Sequence, residues 1–320
     1  MNDLAVVGAG AWGTALAIQA ARAGRNVTLW ARDPANAAAM EQTRLNPRLP
    51  GIRLPGSIRV TAHLPATAAA ILLAVPMQHL RGIAERLPPN DAPLVACAKG
   101  VEAGTLRLPL EVLAEIRPGN PSAILTGPNF AHEVAEGLPA AATLAGPDAA
   151  VRDRIVALLA TPSFRLYGND DAIGAQIGGA AKNVIAIAAG AVIGAGLGEN
   201  ARAALITRSL AELSRLAIAL GGRAETVMGL SGLGDLLLTC TGPSSRNFSL
   251  GLALGRGEKL ADILAARETV TEGVATAPAL VARAAGVDMP ICIAVATLLA
   301  GRTTLAQAMA DLLARPRRDE

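Results

Sequence analysis

The chain opens with a short apolar run, Leu4-Ala5-Val6-Val7, that passes directly into Gly8-Ala9-Gly10-Ala11-Trp12-Gly13 and then into an alanine-rich helical stretch, residues 14–23. Few patterns restrict a fold so strongly. The first glycine permits a tight turn, the second lets the backbone approach a pyrophosphate, and the third lets the helix pack on the strand. The N-terminus of the helix then presents N–H groups to the anion. A second apolar segment at residues 26–31 supplies the next strand, so the pattern sits in the context that a dinucleotide site needs.

The second strand ends in Trp30-Ala31-Arg32-Asp33. An acid about 20 residues beyond Gly13 is placed to accept the ribose hydroxyls of NAD, whereas an arginine there meets the additional phosphate of NADP. Both are present, and Arg32 at the strand end tilts the reading towards NADP, or dual use with NAD. The ordinary alternative is that Arg32 is merely solvated.

Further strands are expected at residues 58–61, 70–75, 94–98, 123–125 and 140–144, with helices between them at 35–43 and 78–87. These strands are continuous apolar runs, as expected of a sheet covered on both faces. The proline-rich segment 46–51 reads as an irregular turn. Ala74-Val75-Pro76, Cys97-Ala98-Lys99-Gly100 and Gly127-Pro128-Asn129-Phe130-Ala131 all fall at the carboxyl ends of strands, where ligands bind in such folds. Beyond Tyr167 strand-like runs give way to helical periodicity, with helices expected at 207–220, 248–254, 260–265, 276–285 and 290–300. The fold class predicted is α/β: an N-terminal Rossmann-type doubly wound sheet, residues 1–169, followed by a C-terminal all-α domain, residues 170–320.

Residues 171–200 are long, apolar and small-residued, yet carry Gln176, Lys182, Asn183 and Asn200. Gly174, Gly178, Gly179 and Ala181 leave one flank nearly bare, so another backbone or a flat ligand can come close. Of 29 basic residues only Lys99, Lys182 and Lys259 are lysines. A lysine kept in an arginine-rich chain and placed among alanine and valine points to a task a guanidinium performs badly, such as releasing a proton. The alternative is a lysine that snorkels to the surface.

A chain of 320 residues is long enough for two domains. The net charge of +3 comes from scattered arginines, and the densest basic run, residues 315–318, is a tail beside two acids. With two Trp, one Tyr and three Phe in all, there is no basic stripe interleaved with aromatics, which argues against nucleic acid. Cys97, Cys240 and Cys292 are odd in number and widely spaced, which argues against a disulfide framework or a structural zinc site and for a reducing cytoplasm. Met1-Asn2-Asp3 lacks the basic cluster of an export signal. The run 177–197 is long enough to span a membrane, but Lys182, Asn183 and its glycines favour a buried helix of a soluble protein.

In the helical half, Gly232-Leu233-Gly234-Asp235 leads to Thr239-Cys240 and then to Ser244-Ser245-Arg246-Asn247 ahead of a helix. That loop is a credible phosphate site, with Arg246 as the fork and helix N–H groups behind it. Taken alone, it is better read as an ordinary N-cap with a surface arginine.

The ordered set of motifs resembles one family, the bacterial NAD(P)-dependent glycerol-3-phosphate dehydrogenases. The motifs are residues 8–15, Asn46-Pro47-Arg48, Ala74-Val75-Pro76, Lys99-Gly100, Gly127-Pro128-Asn129-Phe130-Ala131 and Lys182-Asn183. They continue with Gly198-Glu199-Asn200, Leu205 to Arg208, Gly232-Leu233-Gly234-Asp235, Thr239-Cys240, Ser245-Arg246-Asn247 and Glu272-Gly273. The chain departs from the family at Asn129, where Ser or Thr is usual, at Gln176, where Glu is usual, and at Ala181, where a bulkier residue precedes the lysine. The resemblance implies reduction of dihydroxyacetone phosphate to sn-glycerol 3-phosphate, which supplies phospholipid synthesis. It implies Lys182 as proton donor and acceptor, with Lys99 and Asp235 orienting or tuning it. Apolar neighbours should lower the pKa of Lys182 from the free value of about 10.4. It further implies substrate contacts from Lys99, Gly127, Asn129, Lys182, Asn183, Asp235, Thr239, Ser245, Arg246 and Asn247. The cofactor would meet Gly8, Gly10, Trp12, Gly13, Arg32, Lys99, Ala131, Arg246, Val270 and Glu272.

Two other classes fit some of the pattern. A two-domain hydroxyacid dehydrogenase also uses a helix lysine but lacks phosphate recognition at Arg246 and Asn247. An inactive cofactor-binding sensor keeps residues 8–13 but has no need of Lys182, Asp235 and Arg246 together. Apolar helical surfaces make a homodimer the expected assembly.

Overall fold

The computed structural model describes residues 4–267 and 270–316. The N-terminal Met1-Asn2-Asp3 and the end of the basic tail, Arg317 and Arg318, lie outside these residues. The chain forms two compact units, one of Met1–Lys99 with Arg107–Gln176 and one of Gly100–Leu106 with Ile177–Glu320. The sequence boundary at 169/170 marks the end of the last strand, and the division between the units falls about a turn into the helix that follows.

The first unit is built on eight strands: β1 (Leu4–Val7), β2 (Val27–Trp30), β3 (Ile58–Thr61), β4 (Ile71–Leu73), β5 (Leu94–Ala96), β6 (Ser122–Thr126), β7 (Ala140–Ala145) and β8 (Phe164–Asn169). They lie in the order β3-β2-β1-β4-β5-β6-β7-β8. All neighbours are parallel except β6 and β7, which pair antiparallel with Leu125 opposite Leu144. The helices of this unit are α1 (Ala11–Arg22), α2 (Pro34–Thr43), α3 (Met77–Arg86), α4 (Pro109–Ile116), α5 (Ala131–Glu136) and α6 (Ala149–Leu159).

The continuous apolar strands have the reason inferred from sequence. Leu4 and Val6 feed one core, with Leu29, Leu72 and Leu125. Ala5 and Val7 feed another, with Ile71, Leu73 and Ile124. With side chains alternating along a strand, two cores mean that both faces of the sheet are covered. Strand order reverses between β1 and β4, and the crevice at such a switch point, outside the carboxyl ends of the strands, is where ligands bind. The strand β8 was not legible because it is a mixed edge strand, half of whose residues face outward.

The second unit is helical among its described residues: α7 (Ala172–Gly194), α8 (Gly198–Ala219), α9 (Ala224–Val227), α10 (Asp235–Cys240), α11 (Arg246–Gly255), α12 (Leu260–Ala265), α13 (Glu272–Arg283), α14 (Pro290–Leu299) and α15 (Leu305–Leu313). A single wide π turn, Leu230–Gly234, leads into α10. Helix α7 is long and apolar enough to cross a membrane, but 83% of its most apolar window is buried within the fold. Of the small residues expected to admit other backbone Gly178 does so, and Gly190 further along the helix does the same. A Cβ on Gly178 would lie 2.4 Å from the Ser231 carbonyl oxygen, and one on Gly190 would lie 2.0 Å from that of Phe248. The approach is mutual, because a Cβ on Gly251 of α11 would lie 1.9 Å from the Ile187 carbonyl oxygen. Gly190 and Gly194 on α7 thus meet the backbone of α11, as Gly251 and Gly255 on α11 meet that of α7, and this crossing packs α11 along the C-terminal half of α7.

Candidate active site

In the sheet unit the glycine-rich turn has the geometry of an anion cradle. Gly8 has φ of 119°, and a Cβ there would lie 2.4 Å from the Ala74 carbonyl oxygen. A Cβ on Gly13 would lie 1.9 Å from the Gly8 carbonyl oxygen, so only glycine lets α1 sit so close to β1. Gly10 has open space beside it and caps α1 without a side-chain hydrogen bond. The second glycine is therefore the one with room for a ligand beside helix N–H groups, which is the division of labour a pyrophosphate requires. These residues fit a bound dinucleotide. Trp12, in the same turn, has a buried indole Nε1 with no hydrogen-bond partner among the described residues.

Asn46 holds this turn from the proline-rich loop. Its Nδ2 donates to the Ala9 carbonyl at 3.1 Å and to Thr14 Oγ1 at 2.6 Å. The sequence marked the Asn-Pro-Arg motif without assigning it such a duty, since nothing local links residue 46 to residue 9. Arg32 is exposed just beyond β2. Asp33 accepts from the Ala35 N–H at 3.0 Å as the N-cap of α2. Lys99 Nζ donates to the Gly127 carbonyl at 3.1 Å. Asn129 Nδ2 donates to the Ala141 carbonyl at 2.9 Å, while its Oδ1 is buried without a partner among the described residues. Ala131 is the first residue of α5.

In the helical unit, Lys182 is 8% exposed and Asp235 is fully buried. Their side chains form an ion pair, and Lys182 Nζ also donates to Thr239 Oγ1 at 3.1 Å. The Thr239 hydroxyl donates in turn to the Asp235 backbone carbonyl at 2.6 Å. The ammonium therefore does not meet only the apolar groups that its sequence neighbours implied. Burial favours the neutral amine, and the adjoining carboxylate favours the charged one. Burial pushes the thiol of Cys240, next in sequence to Thr239, up to about 12. No cluster of metal-ligating side chains occurs among the described residues.

Asn183 and Asn247 are tied to one another and to α13. Asn247 Nδ2 donates to Asn183 Oδ1 at 2.9 Å, and Asn247 Oδ1 accepts from the Gly273 N–H at 3.0 Å. Both ends of the Asn247 amide are thus engaged within the fold. Ser245, the N-cap of α11, accepts from the Phe248 N–H at 3.2 Å. Arg246 is exposed and donates through Nη1 to the Val270 carbonyl at 2.9 Å. Glu272 begins α13. The helical unit therefore brings together Lys182, Asp235 and Thr239 in one group, and Asn183, Asn247, Arg246 and Val270 in a network running from α7 to α13.

A nucleotide cradle on a doubly wound sheet, with a lysine and carboxylate buried in a helical unit, defines a nucleotide-dependent dehydrogenase. The profile of the NAD-dependent glycerol-3-phosphate dehydrogenase N-terminus matches residues 3–152, and that of the C-terminus matches residues 171–310. The chain belongs to the NAD-dependent glycerol-3-phosphate dehydrogenase family. Its relatives include a protein of Acidiphilium cryptum named glycerol-3-phosphate dehydrogenase [NAD(P)+], 60% identical over 99% of this chain and 98% of the relative. Another of the same name, from Gluconobacter oxydans, is 56% identical over 98% of this chain and 97% of its own. The crystal structure of glycerol-3-phosphate dehydrogenase from Coxiella burnetii superposes with a TM-score of 0.93 at 37% identity, covering 98% of this chain and 99% of that one.

Proposed function

We propose that the chain is an NAD(P)-dependent glycerol-3-phosphate dehydrogenase that interconverts dihydroxyacetone phosphate and sn-glycerol 3-phosphate. The names of its relatives and the order of its motifs agree along the chain, and the observation that carries the reading is the buried Lys182 ammonium held by Asp235 and Thr239. When bound, the nicotinamide supplies or accepts the hydride.

Lys182 Nζ delivers a proton to the carbonyl oxygen as it becomes an alcohol, and takes it back in the oxidative direction. Asp235 keeps the amine charged and aimed, and Thr239 fixes a second direction of the ammonium. Arg246 meets the substrate phosphate, a task that suits an exposed guanidinium which, among the described residues, engages only Nη1. Asn247 acts by holding Asn183 and the start of α13, so its role in phosphate binding is indirect. From the sheet unit, Lys99, Gly127 and Asn129 are proposed as substrate contacts, and Gly8, Gly10, Trp12, Gly13 and Arg32 as cofactor contacts.

NADPH is the favoured cofactor. Asp33 has one carboxylate oxygen committed to the α2 cap, whereas Arg32 beside it is exposed and cationic. Three buried, unpaired cysteines support a reducing, cytoplasmic setting, and a homodimer is proposed as the assembly. The test is spectrophotometric: oxidation of NADPH and NADH by the purified protein with dihydroxyacetone phosphate. Absence of turnover with both cofactors would refute the assignment.

A further inference from the structure

Arg246 and Arg267 are interlocked. Arg267 Nη1 donates to the Arg246 backbone carbonyl at 2.7 Å and to Thr271 Oγ1 at 3.2 Å, and its Nη2 donates to Ser249 Oγ at 3.0 Å. The Arg246 side chain reaches the other way, to the carbonyl of Val270. One guanidinium thus grips the first turn of α11 and the N-cap of α13 together, while the other closes the same loop.

Neither guanidinium has a carboxylate partner among the described residues. Two like charges placed in this way repel one another, and Arg267 is also half-buried. Burial first, and then the charge of Arg246, hold the Arg267 guanidinium below the ordinary arginine value. A dianionic phosphate at Arg246 would relieve that repulsion and add charge-assisted hydrogen bonds. An arginine at 267 also does what a lysine cannot. Its planar fork serves three acceptors at fixed angles, which a single ammonium on a flexible stem holds less firmly.

We propose that Arg267 is a positioning residue for phosphate recognition: it fixes the backbone of Arg246, aims its side chain and adds positive charge where the phosphate binds. The proposal rests on the reading that Arg246 meets the substrate phosphate. No such role was legible in the sequence, where residue 267 belongs to no motif.

The test compares wild type, Arg267→Gln and Arg267→Lys on dihydroxyacetone phosphate and on unphosphorylated dihydroxyacetone, with thermal melts to establish folding. Arg267→Gln should raise KM for the phosphorylated ketone about tenfold, leave kcat within about twofold, and leave kcat/KM for the neutral ketone unchanged. Arg267→Lys, which keeps the charge without the fork, should fall between the two and carries the comparison if the glutamine variant does not fold. An unchanged KM in a folded variant, or equal losses on both ketones, overturns the proposal. If wild type does not reduce dihydroxyacetone phosphate at all, the assigned function fails separately. Inorganic phosphate then serves as the probe: it should raise Tm of wild type and do so much less for the Arg267 variants, and equal protection of all three would reject the role of Arg267.

Discussion

Lys182 of α7 and Asp235, the first residue of α10, form an ion pair across 53 positions of sequence, with the carboxylate wholly removed from solvent. Removing one partner of such a pair leaves the other buried and uncompensated, at a cost of about 3–5 kcal/mol. Asp235→Asn preserves shape and should lower denaturant stability by an amount in that range. It should also lower turnover, since the group that holds the ammonium in place is gone. Unaltered turnover would show that the pair is structural only.

Lys182→Met keeps the length of the side chain and removes its proton. Turnover should fall by about 100-fold or more while NADPH binding, measured by fluorescence titration, persists. Lys182→Arg should be nearly as inactive, because a guanidinium with a pKa above about 12 is a poor proton donor. Near-normal turnover in the arginine variant would assign the lysine an electrostatic task.

Gly251 packs against α7 with no room for a side chain, since its Cβ would meet the Ile187 carbonyl oxygen at 1.9 Å. Gly251→Ala should therefore separate the helices and cost about 1–3 kcal/mol or more, the usual range for overpacking. Because α11 carries Arg246, KM for dihydroxyacetone phosphate should rise with the loss of stability. A variant of unaltered Tm would show that the crossing yields easily.

Glu212 is buried in α8 and accepts from the N–H groups of Ile291 at 2.7 Å and Cys292 at 3.2 Å, capping α14 from a neighbouring helix. Burial raises its pKa above the usual carboxylate range, against the hydrogen bonds and Arg215 that lower it. The folded state thus holds the proton more tightly than the unfolded one. Stability is favoured below the unfolded pKa and declines as pH rises through the folded one. Urea unfolding at several pH values should show this decline in wild type and a flatter profile in Glu212→Gln. A wild-type curve that rises over the same interval would refute the assignment.

Arg32→Ala should weaken NADPH more than NADH, as judged by the two Michaelis constants, because a guanidinium has a partner only in the 2′-phosphate. An unchanged ratio would leave cofactor choice to other groups.

Much of this architecture was legible in the residues. The turn at 8–13, the doubly covered strands and the change to helical periodicity after Tyr167 are local patterns, set by steric freedom at glycine and by the spacing of apolar side chains. The rarity of lysine drew attention to Lys182 without any knowledge of its neighbours. Edge strand β8 escaped because an outward-facing strand carries weak periodicity, and the short helices α4, α5, α6, α9, α10 and α15 were not among the elements expected from the residues.

The sequence by itself determined most of the strands and the main helices, where a pyrophosphate can be approached, and that Lys182 lies on an apolar helix. Only the tertiary structure decided what that lysine touches. It also decided that Asn247 spends both ends of its amide on Asn183 and Gly273, that Asn46 fastens the glycine-rich turn, and that Arg267 grips the backbone of Arg246. The physical reason is range. Backbone conformation follows from neighbours within a few residues, whereas these bonds join positions separated by about 20 to 65 residues. The bonds of the helical unit form only after its helices have packed, and the glycines of α7 and α11 permit that close approach.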